Sequence, residues 1–300
     1  MEETKVFPWT AQPVPAMGRT ARAEQRPLIH VLLLALTLLT TTMAGARMAG
    51  VQPTSVSALV QGLPFSLTLL AILLTHESGH YLMCRRHRIA ASLPYLIPAP
   101  PFALLGTFGA VICVRSRFPD RRALFDMAAA GPWAGFVVAL VAMVVGLRLS
   151  TVSAAPPDGP TVLLGDSLLT SFLARTILHA DPDSVMLHPV AFAAWAGLLV
   201  TSLNLLPAGQ LDGGHVLYAA RGRRPVLLPA ALVAVLVWLG VHGSPFWIVW
   251  SAVAALMLFF GHPRTMDDSR PLGISRQLGA LASLGLFVIT FVPEPIRFLT

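Results

Sequence analysis

The sequence predicts an all-α polytopic membrane protein: six or seven transmembrane helices, with a short re-entrant loop or β-hairpin between the second and the third. Three observations predict it. Hydrophobic residues make up 55% of the 300 positions and charged residues only 12%, with a mean hydropathy of +0.70, well outside the make-up of soluble domains. Apolar runs close to the roughly 20 residues that cross a hydrocarbon core recur at 29–49, 62–83, 123–147, 188–206, 225–242, 245–261 and 276–292. Arginines gather beside the ends of these runs and are nearly absent within them.

Taken in chain order, residues 1–28 are rich in proline and charge and are expected to form a disordered cytoplasmic tail, since they offer little apolar area to offset ordering entropy. The first run follows Arg19, Arg22 and Arg26. A basic tail of that length, with several further runs behind it, argues for an uncleaved first helix and against a signal peptide. Between runs two and three, "ASLPYLIPAPPFALLGTFGAVICVRSRFPD" is apolar but interrupted by Pro94, Pro98, Pro100, Pro101, Gly106 and Gly109. A straight helix is excluded from its first half, and Phe108 to Val114 suit a strand. Irregular backbone at membrane depth is tolerated only against protein or a water-filled cavity, so this segment is expected to dip toward a site. Run three carries "AAAGPWAG", small residues that permit close helix contact beside a kinking Pro132. The loop at 150–187 is too short for an added domain. Residues 225–261 read as two helices or one hairpin turning at Gly243 and Pro245, which leaves the count at six or seven. The membrane domain thus spans 29–292, followed by a tail at 293–300.

The net charge of +7 rests on arginine, with Lys5 the one lysine. No aromatic platform interleaves the arginines, which excludes a nucleic-acid partner. If every run crosses, all five arginine clusters fall on one side, the cytoplasmic side by the positive-inside rule. Cys84 and Cys113 lie near that face, so no structural disulfide is expected.

The chemistry begins in run two. His76, Glu77, Ser78, Gly79 and His80 have the form HExxH, which places the two imidazoles on one helix face, about one turn apart, where they can share a metal ion. Glu77 points to the side of that pair, where its carboxylate can take a proton from metal-bound water. Nine His and five Glu in 300 residues produce roughly 0.004 such motifs by chance. Charged groups in a span are also costly and usually functional. Two imidazoles and a carboxylate suit Zn2+ with one open position, whereas a structural zinc is normally closed by four Cys or His. The third ligand comes by elimination. Of the acids, only Glu77, Asp126 and Asp212 lie within or at the edge of an apolar run. Asp126, placed in the first turn of run three, is explained by the helix dipole. Asp212 sits in "NLLPAGQLDGGH", where Pro207 and Gly209 break the helix and Gly213 and Gly214 free the backbone around the acid. Runs two and four share a direction, so both ligand sets end near the cytoplasmic face.

These two stretches, HESGH and NLLPAGQLDGG about 130 residues later, resemble the signatures of the site-2 protease family of intramembrane zinc metalloproteases. "LLGTFGAVICVRSRFPDRRALFDMAAAGPWAG" is similar to the segment and helix that the family carries between them, so the resemblance covers about 60–215, the expected catalytic core. It implies zinc on His76, His80 and Asp212, with Glu77 as general base. It also implies a substrate-facing loop at Asn204 and Pro207; from the residues alone, Asn204 equally suits a hydrogen bond between helices. His215 either assists the site or caps the helix break. There is space for neither a PDZ nor a CBS module, as in the compact members.

The expected activity is hydrolysis of peptide bonds within or near the transmembrane segment of a single-span membrane-protein substrate in the lipid bilayer. A related protease with a glutamate as third ligand is disfavoured, since Glu294 is the only glutamate after Glu77. The readings from other classes are a transporter or metal-handling carrier, for which paired broken helices are lacking, and a non-catalytic membrane-protein binder, which would not need the full metal set.

Overall fold

A computed structural model describes residues 27–100, 102–153, 161–222, 227–260 and 262–299. The expected N-terminal tail therefore lies outside the described residues except for its last two positions. The described residues form α1 (Pro27–Met48), α2 (Val56–Arg86), strands β1 (Tyr95–Pro98) and β2 (Thr107–Val111), and α3 (Arg121–Leu149). Next come β3 (Thr151–Val152), β4 (Thr161–Leu164), α4 (Leu168–Leu178), β5 (Val185–Met186), α5 (Pro189–Asn204) and α6 (Asp212–Arg221). The chain finishes with α7 (Leu227–His242), α8 (Phe246–Phe260), α9 (Ile274–Thr290) and β6 (Ile296–Leu299).

Local chemistry sets several of these boundaries. Ser55 caps α2 by accepting from the Ala58 amide, and Asp120 caps α3 through Ala123, each satisfying a donor that the first turn leaves unpaired. Asp126 consequently falls in the second turn of α3, not the first, and the N-terminal dipole position belongs to Asp120. Helix α2 ends as Ile89 donates to Cys84 and Arg88 to Arg85, a Schellman closure that puts Arg88 at φ 57.

Helices α1, α2 and α3 are long and apolar enough to cross a membrane. Helices α5, α7, α8 and α9 are apolar but shorter, at 15 to 17 residues. Helix α2 packs against α1, α3 and α5, and α3 also packs against α6 and α9. Two apolar clusters flank the midpoint of this assembly. One gathers Phe65, Leu69, Ile72, Met143, Trp195 and Leu198; the other gathers Cys84, Leu124, Phe125, Tyr218 and Leu272. The HExxH turn of α2 lies between them.

Strands β1 and β2 pair antiparallel, Tyr95 opposite Val111 and Ile97 opposite Gly109, with an irregularity at Pro98. Tyr95 stacks on His30 of α1 at 4.1 Å, while Phe102, Leu104 and Phe108 remain exposed. Elsewhere β3 pairs with β5 and β4 with β6, so residues 296–299, assigned from the sequence to a tail, join a strand pair instead. At the other end of the helices, Asp120 bridges Asp267, and the Met266 amide donates to the Phe118 carbonyl.

Candidate metal centre

His76 and His80 project from one face of α2, their rings meeting edge to face at a centroid distance of 4.8 Å. Asp212 is the first residue of α6, and its Oδ2 stands 3.3 Å from Nε2 of both histidines. The three ligand atoms lie within 4.8 Å of one another. Ligands at about 2.0–2.1 Å on a tetrahedral zinc stand about 3.3 Å from each other, so both carboxylate–imidazole separations match that geometry. The donor set of two imidazole nitrogens and one carboxylate oxygen fits the same ion.

Each candidate ligand is held from behind. Nδ1 of His80 donates to the Met127 carbonyl of α3 at 2.8 Å, which in a neutral ring fixes the tautomer and puts the lone pair on Nε2. Helix α3 reaches the histidines because it is made of small residues here. A Cβ on Gly131 would fall on the His80 ring, and one on Gly135 would stand 3.1 Å from His76 Cβ. In return, a Cβ on Gly79 would meet the Ala130 carbonyl oxygen at 2.5 Å. The "AAAGPWAG" stretch is therefore helix packing, as its composition predicts, but the surface packed is the back of the candidate metal site. Asp212 is placed by the turn after α5, in which a Cβ on Gly213 would strike the Leu205 carbonyl. Only glycine lets this turn fold back far enough to aim the acid at α2.

Glu77 is buried, at 8% exposure, and the backbone amide of Ile112, just beyond β2, hydrogen-bonds its carboxylate. The paired strands thus touch the acid. Asn204 brings its Nδ2 to 3.3 Å from His76 Nε2, so its amide faces a proposed ligand. Pro207 is half-buried in the turn between α5 and α6 and makes no polar contact with the triangle. His215 caps nothing: the N-terminus of α6 has no side-chain cap, and His215 instead meets His262 at 2.6 Å.

The structure also adds partners that sequence reasoning did not see. His87, grouped from the sequence with the basic flank, lies 2.9 Å from Asp126, and Arg276 of α9 grips the same carboxylate with two bonds of 2.7 and 2.8 Å. Asp126 is thus committed to an ion network joining the end of α2 to α3 and α9. His262 belongs to no motif; a lone histidine after an apolar run carries no pattern that would have identified it.

The family model for peptidase family M50 matches residues 64–241. Among curated proteins, the chain is 34% identical over 239 residues to "Probable zinc metalloprotease EGY1, chloroplastic" of Oryza sativa subsp. japonica, covering 77% of this chain and 40% of that protein. The Arabidopsis thaliana protein of the same name is also 34% identical over 239 residues, covering 77% of this chain and 43% of that protein. "Probable zinc metalloprotease EGY2, chloroplastic" of Arabidopsis thaliana is 34% identical over 187 residues, 59% of this chain and 32% of that protein. The chain thus spans about two fifths of the length of the first two relatives. No solved structure matches it.

Proposed function

The chain belongs to peptidase family M50, the site-2 protease family, and from that premise we propose that it is a zinc metalloprotease that hydrolyses peptide bonds within or near the membrane-spanning segment of single-span membrane proteins. The observation that carries this reading is the meeting of Asp212 with His76 and His80, each carboxylate–imidazole distance being 3.3 Å.

His76, His80 and Asp212 would hold the metal. When bound, zinc supplies a Lewis acid that makes water more acidic and polarises a carbonyl oxygen. Everything else falls to the protein. Glu77, one residue after His76 and buried beside the triangle, takes the proton of the attacking water and passes it to the departing amine. The bond from His80 to Met127 keeps that imidazole from rotating as charge develops. The substrate is a single membrane helix that unwinds locally and adds as a strand to the β1–β2 pair, which lies against Glu77 through Ile112. Asn204 and the exposed Gln210 line the route for water.

We read the β1–β2 pair as a membrane-dipping hairpin and α1, α2, α3, α5, α7, α8 and α9 as seven crossings. Parity supports that number. β4 precedes α5 and β6 follows α9, and their pairing requires an even number of crossings between them, here α5, α7, α8 and α9. The Asp120–Asp267 bridge requires the same of α3, α5, α7 and α8. By the positive-inside rule the site then lies near the cytoplasmic face.

The deciding assay incubates the purified protein and its Glu77→Gln variant with a panel of single-span peptides in detergent, with zinc quantified in both. Cleavage by the wild type alone, at equal zinc content, supports the reading. Zinc-dependent transport into vesicles that survives the substitution would favour a carrier.

A further inference from the structure

A second pair of imidazoles stands beside the triangle. His262, from the segment between α8 and α9, is buried. Its Nε2 lies 2.6 Å from Nδ1 of His215 and its Nδ1 lies 2.6 Å from the Pro263 carbonyl oxygen. Its ring stacks on Tyr218 at 4.1 Å with a 10° tilt, and the Tyr218 hydroxyl donates to Asp268 at 2.7 Å. The ring of His262 is thus held on its face and at both nitrogens.

A neutral imidazole carries one N–H and one lone pair. A carbonyl only accepts, so a neutral His262 donates from Nδ1 to Pro263 and keeps its lone pair at Nε2. The contact with His215 is then a hydrogen bond only if His215 donates from its own Nδ1. That leaves a lone pair on His215 Nε2, at the edge of the ring turned away from His262. His215 follows Asp212 by three residues, so the two share a face of α6, and the charges of both Asp212 and His80 act on it. Burial, and after it the neighbouring His262, lowers the His215 imidazole to about 4, so it is neutral at physiological pH.

We propose that His215 is a hydrogen-bond acceptor of the catalytic centre, offering Nε2 to a water or peptide N–H held beside His76, His80 and Asp212, and that His262 is the positioning residue that fixes the tautomer making this possible. The role in turnover rests on the metalloprotease reading; the tautomer does not.

The test uses the full chain in detergent micelles with 15N-labelled histidine, the His215 signals being assigned by their loss in His215→Asn. His262→Gln keeps an amide oxygen that accepts from His215 Nδ1, whereas His262→Met fills the space without such an acceptor. The expected result is an Nδ1–H tautomer of His215 in the wild type and in His262→Gln, and a mixture in His262→Met. On a single-span peptide, kcat of His262→Met falls about tenfold to a hundredfold, the range seen when a supporting partner of a metal site is lost. KM and zinc content hold, and His262→Gln recovers most of the loss. A wild-type His215 protonated at Nε2 overturns the proposal. So does an equal fall in both His262 variants, which marks a packing role, or no fall in either. A chain with the expected tautomers that cleaves no substrate sinks the protease reading and leaves the assignment of the pair standing.

Discussion

Gly131→Ala offers a stringent test, because it adds one methyl group and no charge. On the present backbone the new Cβ overlaps Nε2 and Cε1 of His80 and lies 2.5 Å from its Cδ2. Carbon atoms sit comfortably at about 3.5 Å, so even the most distant of these three atoms must retreat by about 1 Å. A zinc ligand tolerates roughly 0.2 Å, and the bond from His80 to Met127 resists rotation in the other direction. Helix propensity pulls the opposite way, since alanine is favoured over glycine by about 1 kcal/mol in a helix interior. Any loss therefore reports geometry. The expected outcome is a fall in zinc affinity of at least about a hundredfold, the upper end of what loss of a supporting partner costs, measured by competition with a chelator on protein that still melts cooperatively. Gly135→Ala is the internal comparison. Its Cβ meets His76 at 3.1 and 3.2 Å, a conflict relieved by a few tenths of an ångström, so its effect should stay below about tenfold on the same scale. A folded Gly131→Ala protein that binds zinc like the wild type, or a Gly135→Ala protein that is the worse of the two, would refute this account of how α3 supports the site.

Glu77→Gln should lower cleavage by about a hundredfold to ten-thousandfold, the usual contribution of a general base, with zinc content unchanged by elemental analysis. Asp212→Ala should lose zinc on dilution into chelator while retaining helical circular dichroism, because it removes one of the three proposed ligands but no packing. Arg276→Gln, which breaks two charge-assisted bonds to Asp126, should lower stability by about 1 kcal/mol in a salt-sensitive manner and leave zinc affinity alone. A thermal-shift series in increasing salt would read the difference.

The helical layout was legible because the bilayer demands it: the seven apolar runs coincide with α1, α2, α3, α5, α7, α8 and α9 to within a few residues, apart from the N-terminal start of α2 at Val56. Helix α4 was not legible, since Leu168–Leu178 is short and lies in a loop that hydropathy treats as a single connection. Of the site, HExxH announced itself by spacing on one helix, and Asp212 by being an acid where acids are scarce. What spacing could not reveal is contact between distant segments. Asp126 looked like a dipole residue because its partners, His87 and Arg276, are 39 and 150 positions away. His215 read either as a cap or as an aid to the site because His262, its partner, is 47 positions off. The glycines of α3 were read correctly as a packing surface, yet nothing in their composition said that the object packed would be two imidazoles.

The single hydrogen bond between His80 and Met127 makes one ring a keystone for three helices. Its Nε2 turns toward Asp212 of α6, its Nδ1 fastens α3, and its Cα belongs to α2. Stripping the metal would slacken the first of these ties and strain the second, and the amides of α3 flanking Pro132 are where faster deuterium uptake should first appear.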